Sequence, residues 1–229
     1  MMRFQYFFII LLLFIFQRGF SQSSLGAWYI YNGSFFVKEK TELFFETQIR
    51  LREITSNKEE IFFRPIFIHH FNSKWNGGLG YTYHINFADA SSGDNDKSSH
   101  ENRIILQAQI YTPVGKTNIQ HRLRLEQRWI TSTSSDTETR QRFRYRLQAI
   151  VPINSSKIEK GVFIVNVYNE LFINLQDGLD FDQNRIYLAP GYQFSNSTNL
   201  QLGYLYQRKG EENLNRLQIF FTQKLYFYK

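Results

Sequence analysis

Seven arginines share one parity in two neighbouring segments: Arg122, Arg124 and Arg128 in HRLRLEQRWI, then Arg140, Arg142, Arg144 and Arg146 in RQRFRYRLQAIVPI. A guanidinium group is planar and permanently charged, and its fork of donors matches carboxylate and phosphate oxygens. Rings of such groups around an enclosed path select anions. Leu123, Leu125 and Trp129 lie on the other parity of the first segment, and Phe143, Tyr145 and Leu147 on that of the second. A two-residue period means extended strands with one apolar and one polar face. Here the polar face is a cationic ladder.

Hydrolytic chemistry finds little footing. An outer-membrane phospholipase needs a histidine, a serine and an orienting polar residue on adjacent strands. The histidines are His69, His70, His84, His100 and His121, and none shares a strand face with a serine in the strands read below. His69 and His121 fall on the face expected to meet lipid, at the level of an aromatic belt. An omptin-like protease would use acids and a histidine in surface loops. The 88–100 stretch holds Asp89, Asp94, Asp96 and His100, but a solvated polar loop explains them equally well. Asp94, Asp96 and Ser98 have the odd spacing of a calcium loop without the glycine and terminal glutamate of an EF-hand. No Gly-rich phosphate loop, zinc spacing or nucleophile elbow occurs. The expectation is therefore no enzyme, no catalytic residue, no cofactor and no metal.

The elements that must carry the arginines are strands. From residue 25 onward the chain reads as strands at 25–37, 41–54, 59–71, 74–87, 100–113, 116–130, 140–153, 160–175, 181–194, 198–209 and 215–228. Most are far longer than the five or six residues usual in soluble sheets. They suit a bilayer crossing, which needs about 9–11 residues. FNSK, PVGK, SNST and VKEKT read as short turns, while ADASSGDNDKSSH, TSTSSDTET and KGEENLN read as long polar loops. Alternating short and long connections fit periplasmic turns and extracellular loops, with the last strand running towards the periplasm. Eleven segments conflict with the even counts of bacterial single-chain barrels, so the expectation is 10–12 strands with twelve preferred. Pro65 and Pro190 lie inside strands, where each implies a bulge or a broken pair. Trp28, Trp75, Trp129, Tyr226 and Tyr228 fall near strand ends, where amphipathic rings favour the headgroup level.

The chain opens MMRFQYFFIILLLFIFQRGFSQS. Arg3, an apolar run from Phe7 to Phe16 and small residues at 19 and 21 read as a secretory signal, since about 20 apolar residues are needed for a spanning helix. Cleavage after Ser21 leaves residues 22–229 as one barrel domain. It removes Arg3 and Arg18, lowering the net charge from +7 to +5. The absence of cysteine excludes a disulfide framework and a lipid-anchored mature N-terminus. The arginines alternate with lipophilic residues instead of clustering on a helix or loop, which argues against a nucleic-acid partner.

HRLRLEQRWI, RYRLQAIVPIN, YNELFINL, DQNRIYLAPGYQF and LQLGYLYQ resemble the Bacteroidota outer-membrane barrel family catalogued as domain-of-unknown-function family 2490. The likeness extends to the Trp28 strand, FFRP around Arg64 and GGLGYTY at 77–83. It implies an outer-membrane barrel and brings no activity. The matching positions are Arg122, Arg124, Glu126, Arg128, Arg144, Arg146, Asn169, Glu170, Asn184 and Arg185, whose role in the family is not established. The chain ends Tyr228-Lys229 where the family pattern has a terminal aromatic.

The expected fold is thus an all-β, transmembrane, antiparallel up-and-down barrel in the outer membrane. With polar faces inward, Arg50, Arg52, Arg64, Arg103, Arg122 and Arg124 would line the lumen. So would Arg128, Arg142, Arg144, Arg146 and Arg185, with Glu46, Glu126 and Glu170 among them. Three glutamates cannot neutralise this many guanidinium groups, and unpaired buried charge costs several kcal/mol. The lumen is therefore expected to be hydrated and net positive. Two readings stay open: a rigid network with Gln107, Gln148 and Tyr168 that plugs the barrel, or a narrow anion-biased path. Gly77, Gly78 and Gly80 either leave space opposite the arginines or bend the sheet. The expected partners are the lipid bilayer, small anionic solutes and other outer-membrane proteins. Alternatives are a non-catalytic accessory subunit of an envelope complex, a lipid-modifying enzyme, or a soluble periplasmic barrel with apolar contents.

Overall fold

Alternating apolar and polar residues run through eleven segments, and each forms one long strand. The structure, a computed structural model, describes residues 25–89, 98–133, 135–176 and 178–228. The signal segment read at 1–21 lies outside the described residues, as do Asp94 and Asp96. The strands are β1 (Gly26–Lys38), β2 (Thr41–Leu51), β3 (Lys58–His70), β4 (Trp75–Asn86), β5 (Ser99–Val114) and β6 (Thr117–Ser132). They continue with β7 (Ser135–Pro152), β8 (Phe163–Asn174), β9 (Asp180–Ser195), β10 (Thr198–Lys209) and β11 (Glu212–Tyr226).

Each strand pairs antiparallel with its sequence neighbours, and β1 pairs parallel with β11 to close the barrel. The preference for twelve strands is thereby corrected. A parallel seam, with Trp28 beside Gln218 and Tyr31 beside Phe221, removes the need for an even number. It also puts the start of β1 and the end of β11 at opposite mouths. We call the mouth at Lys38 and Tyr226 the first mouth, and the one at Gly26 and Leu51 the second.

Side chains of one parity cover the outer wall. Leu43, Phe67, Leu79, Leu106, Leu188 and Leu202 are all exposed there. The opposite parity is buried and mostly polar, and it includes Glu46, Arg64, Gln107, Arg124, Glu170 and Gln218. Two apolar patches interrupt this interior. One is aromatic, formed by Trp28, Ile30, Tyr168, Tyr187, Ala189 and Leu205. The other is Ile66, Ile68 and Ile105, each 3% exposed or less.

Trp28 therefore does not sit in an outward aromatic belt. It shares parity with Ile30 on β1 and is 3% exposed inside the barrel. Trp75 does lie outside, stacked on Phe71 with centroids 3.9 Å apart.

The connections also depart from the expected alternation. TSTSSDTET and KGEENLN are not long loops, because β6–β7 pairing continues to Ser132–Ser135 and β10–β11 pairing to Lys209–Glu212. Polar Ser, Thr and Asn residues complete a ladder as well as apolar ones do once their neighbours hold the register. Gly210, at φ 57°, makes the tight β10–β11 turn that a side chain would strain. A ten-residue connection, 153–162, instead joins β7 to β8 at the first mouth.

Pro65 and Pro190 break pairs without shifting register. Pairing of β3 with β4 lapses between Phe63–Tyr83 and Ile66–Gly80 and resumes in phase. Pairing of β9 with β10 lapses likewise between Gly191–Gln201 and Leu188–Tyr204. Each lapse spans two residue pairs, as a missing N–H interrupts the ladder locally without changing its phase. Gly78 and Gly80 leave no room opposite the arginines. A Cβ on either would press on Ile66, so the glycines make way for the inner isoleucine patch. Gly203 does the same for the ring of Tyr187.

Candidate functional site in the barrel interior

The barrel encloses a cavity of about 670 Å³ whose walls include residues from all eleven strands. Eleven arginines and two lysines line it, against seven carboxylates; Glu126, wholly enclosed in the wall, pairs with two of those arginines. Ten of the eleven arginines expected in the lumen are among them. Arg52 is the exception. It lies just past the end of β2, and its guanidinium donates to the backbone oxygens of Phe87 (2.7 Å) and Ala88 (3.4 Å) and approaches Asp89. It ties the loop after β4 to the second mouth.

Register sets the inner rows. Gln109, Arg122, Arg146, Glu170, Arg185 and Gln207 stand side by side across β5 to β10. Two residues away, Arg124 stands beside Arg144. Like charges directly opposite on a sheet repel, so these rows hold together only through carboxylates that serve two arginines each.

Glu126 does so for Arg142 (2.6 Å) and Arg144 (2.6 Å). Glu170 accepts from Arg122 (2.6 Å) and Arg144 (2.8 Å). Glu101 pairs with Arg103 through a bidentate fork and with Arg128 at 2.6 and 3.0 Å. Across the barrel Arg64 reaches Glu46 at 2.7 Å and Thr82 at 2.9 Å, and Arg50 pairs with Glu60. Charge-assisted bonds of this kind are shorter and about twice as strong as neutral ones. Several skip a strand: Arg122 on β6 bonds Glu170 on β8, and Arg142 on β7 bonds Asp182 on β9 at 2.9 Å. Such links brace the wall across its own curvature.

Aromatic faces steady the remaining guanidinium surface. Arg50 lies 3.7 Å from the ring centroid of Trp28, and Arg185 lies between Trp28 (4.9 Å) and Phe172 (4.7 Å). Arg144 covers Phe172 at 4.3 Å. Desolvated cation–π contacts of this kind are worth about 2 kcal/mol. This is why a barrel with a charged inner face still buries Trp28 and Phe172 inside.

The expectation of only three inward glutamates is corrected. Glu42, Glu59, Glu60, Glu101 and Asp182 also line the cavity. Parity alone identifies Glu42, Glu60 and Glu101, which lie in phase with Glu46, Arg64 and Arg103. Glu59 and Asp182 carry no such signal. Pairing skips Glu59 between Arg50–Glu60 and Leu51–Lys58, and skips Asp182 between Phe172–Gln183 and Ile173–Phe181. Both are bulge residues, and a bulge re-aims a side chain that strict alternation would send outward. The re-aimed Glu59 meets Arg216 at 3.2 Å.

The histidines divide by face. His70 and His84 point inward, His70 onto Glu42 at 2.7 Å and His84 onto Glu60 at 3.2 Å. His121 is hydrogen-bonded to the Tyr145 hydroxyl at 2.8 Å on the outer parity, and His69 packs edge-on against Phe71.

No curated protein and no solved structure matches the chain. A family model described as a protein of unknown function, DUF2490, matches residues 25–218. That span takes in the barrel from β1 into β11, including every carboxylate and all but one of the cations of the inner wall, and the chain belongs to this family.

Proposed function

We propose that the protein is an outer-membrane β-barrel whose lumen forms a narrow, anion-biased aqueous path. The observation that carries this is the charge balance of the inner wall, where thirteen cationic side chains stand against seven lining carboxylates and the enclosed Glu126. Buried charge is tolerated when it is paired or hydrated, so an excess of five cations calls for water and mobile anions in the cavity. The outer wall supports the membrane half of the reading. A band of exposed Leu, Ile, Phe and Tyr around a polar interior is the arrangement lipid requires, and it closes every strand edge. Eleven strands lie between the eight that side chains fill and the sixteen that leave a wide channel, so only small solutes would pass.

Planar-bilayer recording of the purified barrel tests the reading. Under a KCl gradient the reversal potential is expected to take the sign of chloride selectivity. Replacing Arg124 and Arg146 by glutamine should move it towards zero. Absence of any conductance would favour the second reading, a closed structural network, for which the strand-skipping pairs of Glu170 and Asp182 speak.

A further inference from the structure

The carboxylates of the inner wall are shared unevenly. Glu126 and Glu170 are both committed to two arginines, yet Arg124, Arg146 and Arg185 make no ion pair among the described residues. As hydrogen-bond acceptor, each of the three has only a neutral amide oxygen among the described residues. Arg124 donates to Gln107 at 2.6 Å, Arg146 to Gln120 at 2.7 Å and Arg185 to Gln183 at 3.4 Å. Donors remain over: Nη1 of Arg124 and Nε of Arg146 and Arg185 are buried without an acceptor. Arg124 is itself 2% exposed. A buried donor left unmade costs about 1–3 kcal/mol, more when charged.

The three arginines are near one another on the sheet. Arg124 is one diagonal step from Arg146, because Arg124 faces Arg144 and Arg122 faces Arg146. Diagonal neighbours lie about 7–8 Å apart at the backbone. Arg185 is two strands further round, on the far side of Glu170. Three guanidinium groups with unpaired donors, from β6, β7 and β9, line the same cavity and match an acceptor with several oxygens and more than one negative charge.

We propose that Arg124, Arg146 and Arg185 form a binding site inside the barrel for a multivalent oxyanion of the phosphate class, either free or as the phosphoryl group of a larger solute. The site deepens the anion-path reading and rests on the same inner wall. Glutamine partners suit the role, since they hold each guanidinium in place without cancelling its charge.

Thermal unfolding of the purified full barrel in detergent, followed by Trp fluorescence, tests the site. Trp28 reports it because its ring touches Arg185. Inorganic phosphate should raise the melting temperature saturably, beyond potassium chloride at equal ionic strength. In the double variant R124Q/R146Q the apparent dissociation constant should rise on the order of tenfold per arginine lost. These substitutions remove uncompensated charge, so the variant is expected to fold. If it does not, R185Q alone serves, read by broadening of the phosphorus resonance of added phosphate. A tighter response to glycerol phosphate than to inorganic phosphate would assign the esterified form. No saturable response to either, or an unchanged response in the variants, overturns the site. Anion-biased conductance without phosphate binding would overturn the site and leave the path standing. Binding without conductance would do the reverse.

Discussion

Replacing Glu126 by glutamine should destabilise the barrel more than any other single change of a carboxylate. The side chain is wholly enclosed and holds two guanidinium groups, accepting from Arg142 Nε (3.0 Å) and Nη2 (2.6 Å) and from Arg144 Nη1 (2.6 Å). The isosteric amide keeps one acceptor oxygen but turns an NH2 towards one arginine and removes the charge from both. Breaking a buried pair by deleting one partner costs about 3–5 kcal/mol. Arg142 retains Asp182 and Arg144 retains Glu170, so the lower end of that range, about 3 kcal/mol, is the expected loss. That is about two decades in the unfolding equilibrium. Urea titration of the folded barrel in detergent, read by tryptophan fluorescence and by heat-shifted gel migration, measures it. Glu138→Gln is the reference, because the Glu138–Arg140 pair is about half exposed on both sides and such pairs contribute at most about 1 kcal/mol. If E126Q and E138Q unfold within about 0.5 kcal/mol of each other, the inner pairs are too hydrated to act as buried ones, and the reasoning fails.

Leu106→Arg, on the exposed outer parity of β5, should cost about 2–4 kcal/mol when the barrel is folded into bilayers, as at a lipid midplane; a change within about 0.5 kcal/mol would be that of an ordinary water-facing site. Gly203→Val should cost about 1–3 kcal/mol, because the Tyr187 ring already occupies the space a Cβ at residue 203 would take and must leave its place against the β10 backbone; the same urea titration measures it. Single cysteines placed at Glu39 and at Glu211 lie at opposite mouths of a cysteine-free chain, so an impermeant thiol reagent added to whole cells should label Glu211→Cys and spare Glu39→Cys; equal labelling of both would contradict the spanning orientation.

Much of this architecture is legible in the residues. The alternation that separates Leu123 and Leu125 from Arg122 and Arg124 places those side chains on opposite faces, and register keeps Arg122 beside Arg146. The features that are not legible have specific causes. The parallel seam between β1 and β11 depends on the geometry of closure, which no local pattern encodes. Glu59 and Asp182 turn inward at bulges, where parity fails. An aromatic at a strand end suits two environments, a headgroup belt and a guanidinium stack, and for Trp28 only its neighbours Arg50 and Arg185 decide between them. Arg52 has the parity of a lumen residue, but the β2 ladder ends at Leu51 and its fork is taken by the carbonyls of the loop after β4.

The unequal sharing of carboxylates separates the two readings of the interior. A network selected only to hold the wall would gain from placing an acid beside each arginine, since an unpaired buried cation destabilises by more than its pair stabilises. Around Glu101, Arg103 and Arg128 the wall does this, with both forks closed on one carboxylate. At Arg124, Arg146 and Arg185 it offers glutamine instead, and leaves donors buried without an acceptor. Strained or unsatisfied groups gather where a protein binds or reacts, because there the missing partner arrives from outside. The two patterns occupy the same barrel, so the structural role and the proposed anion binding need not compete: doubly committed glutamates hold the wall, and the arginines they leave without a carboxylate are the ones the proposed anion would meet.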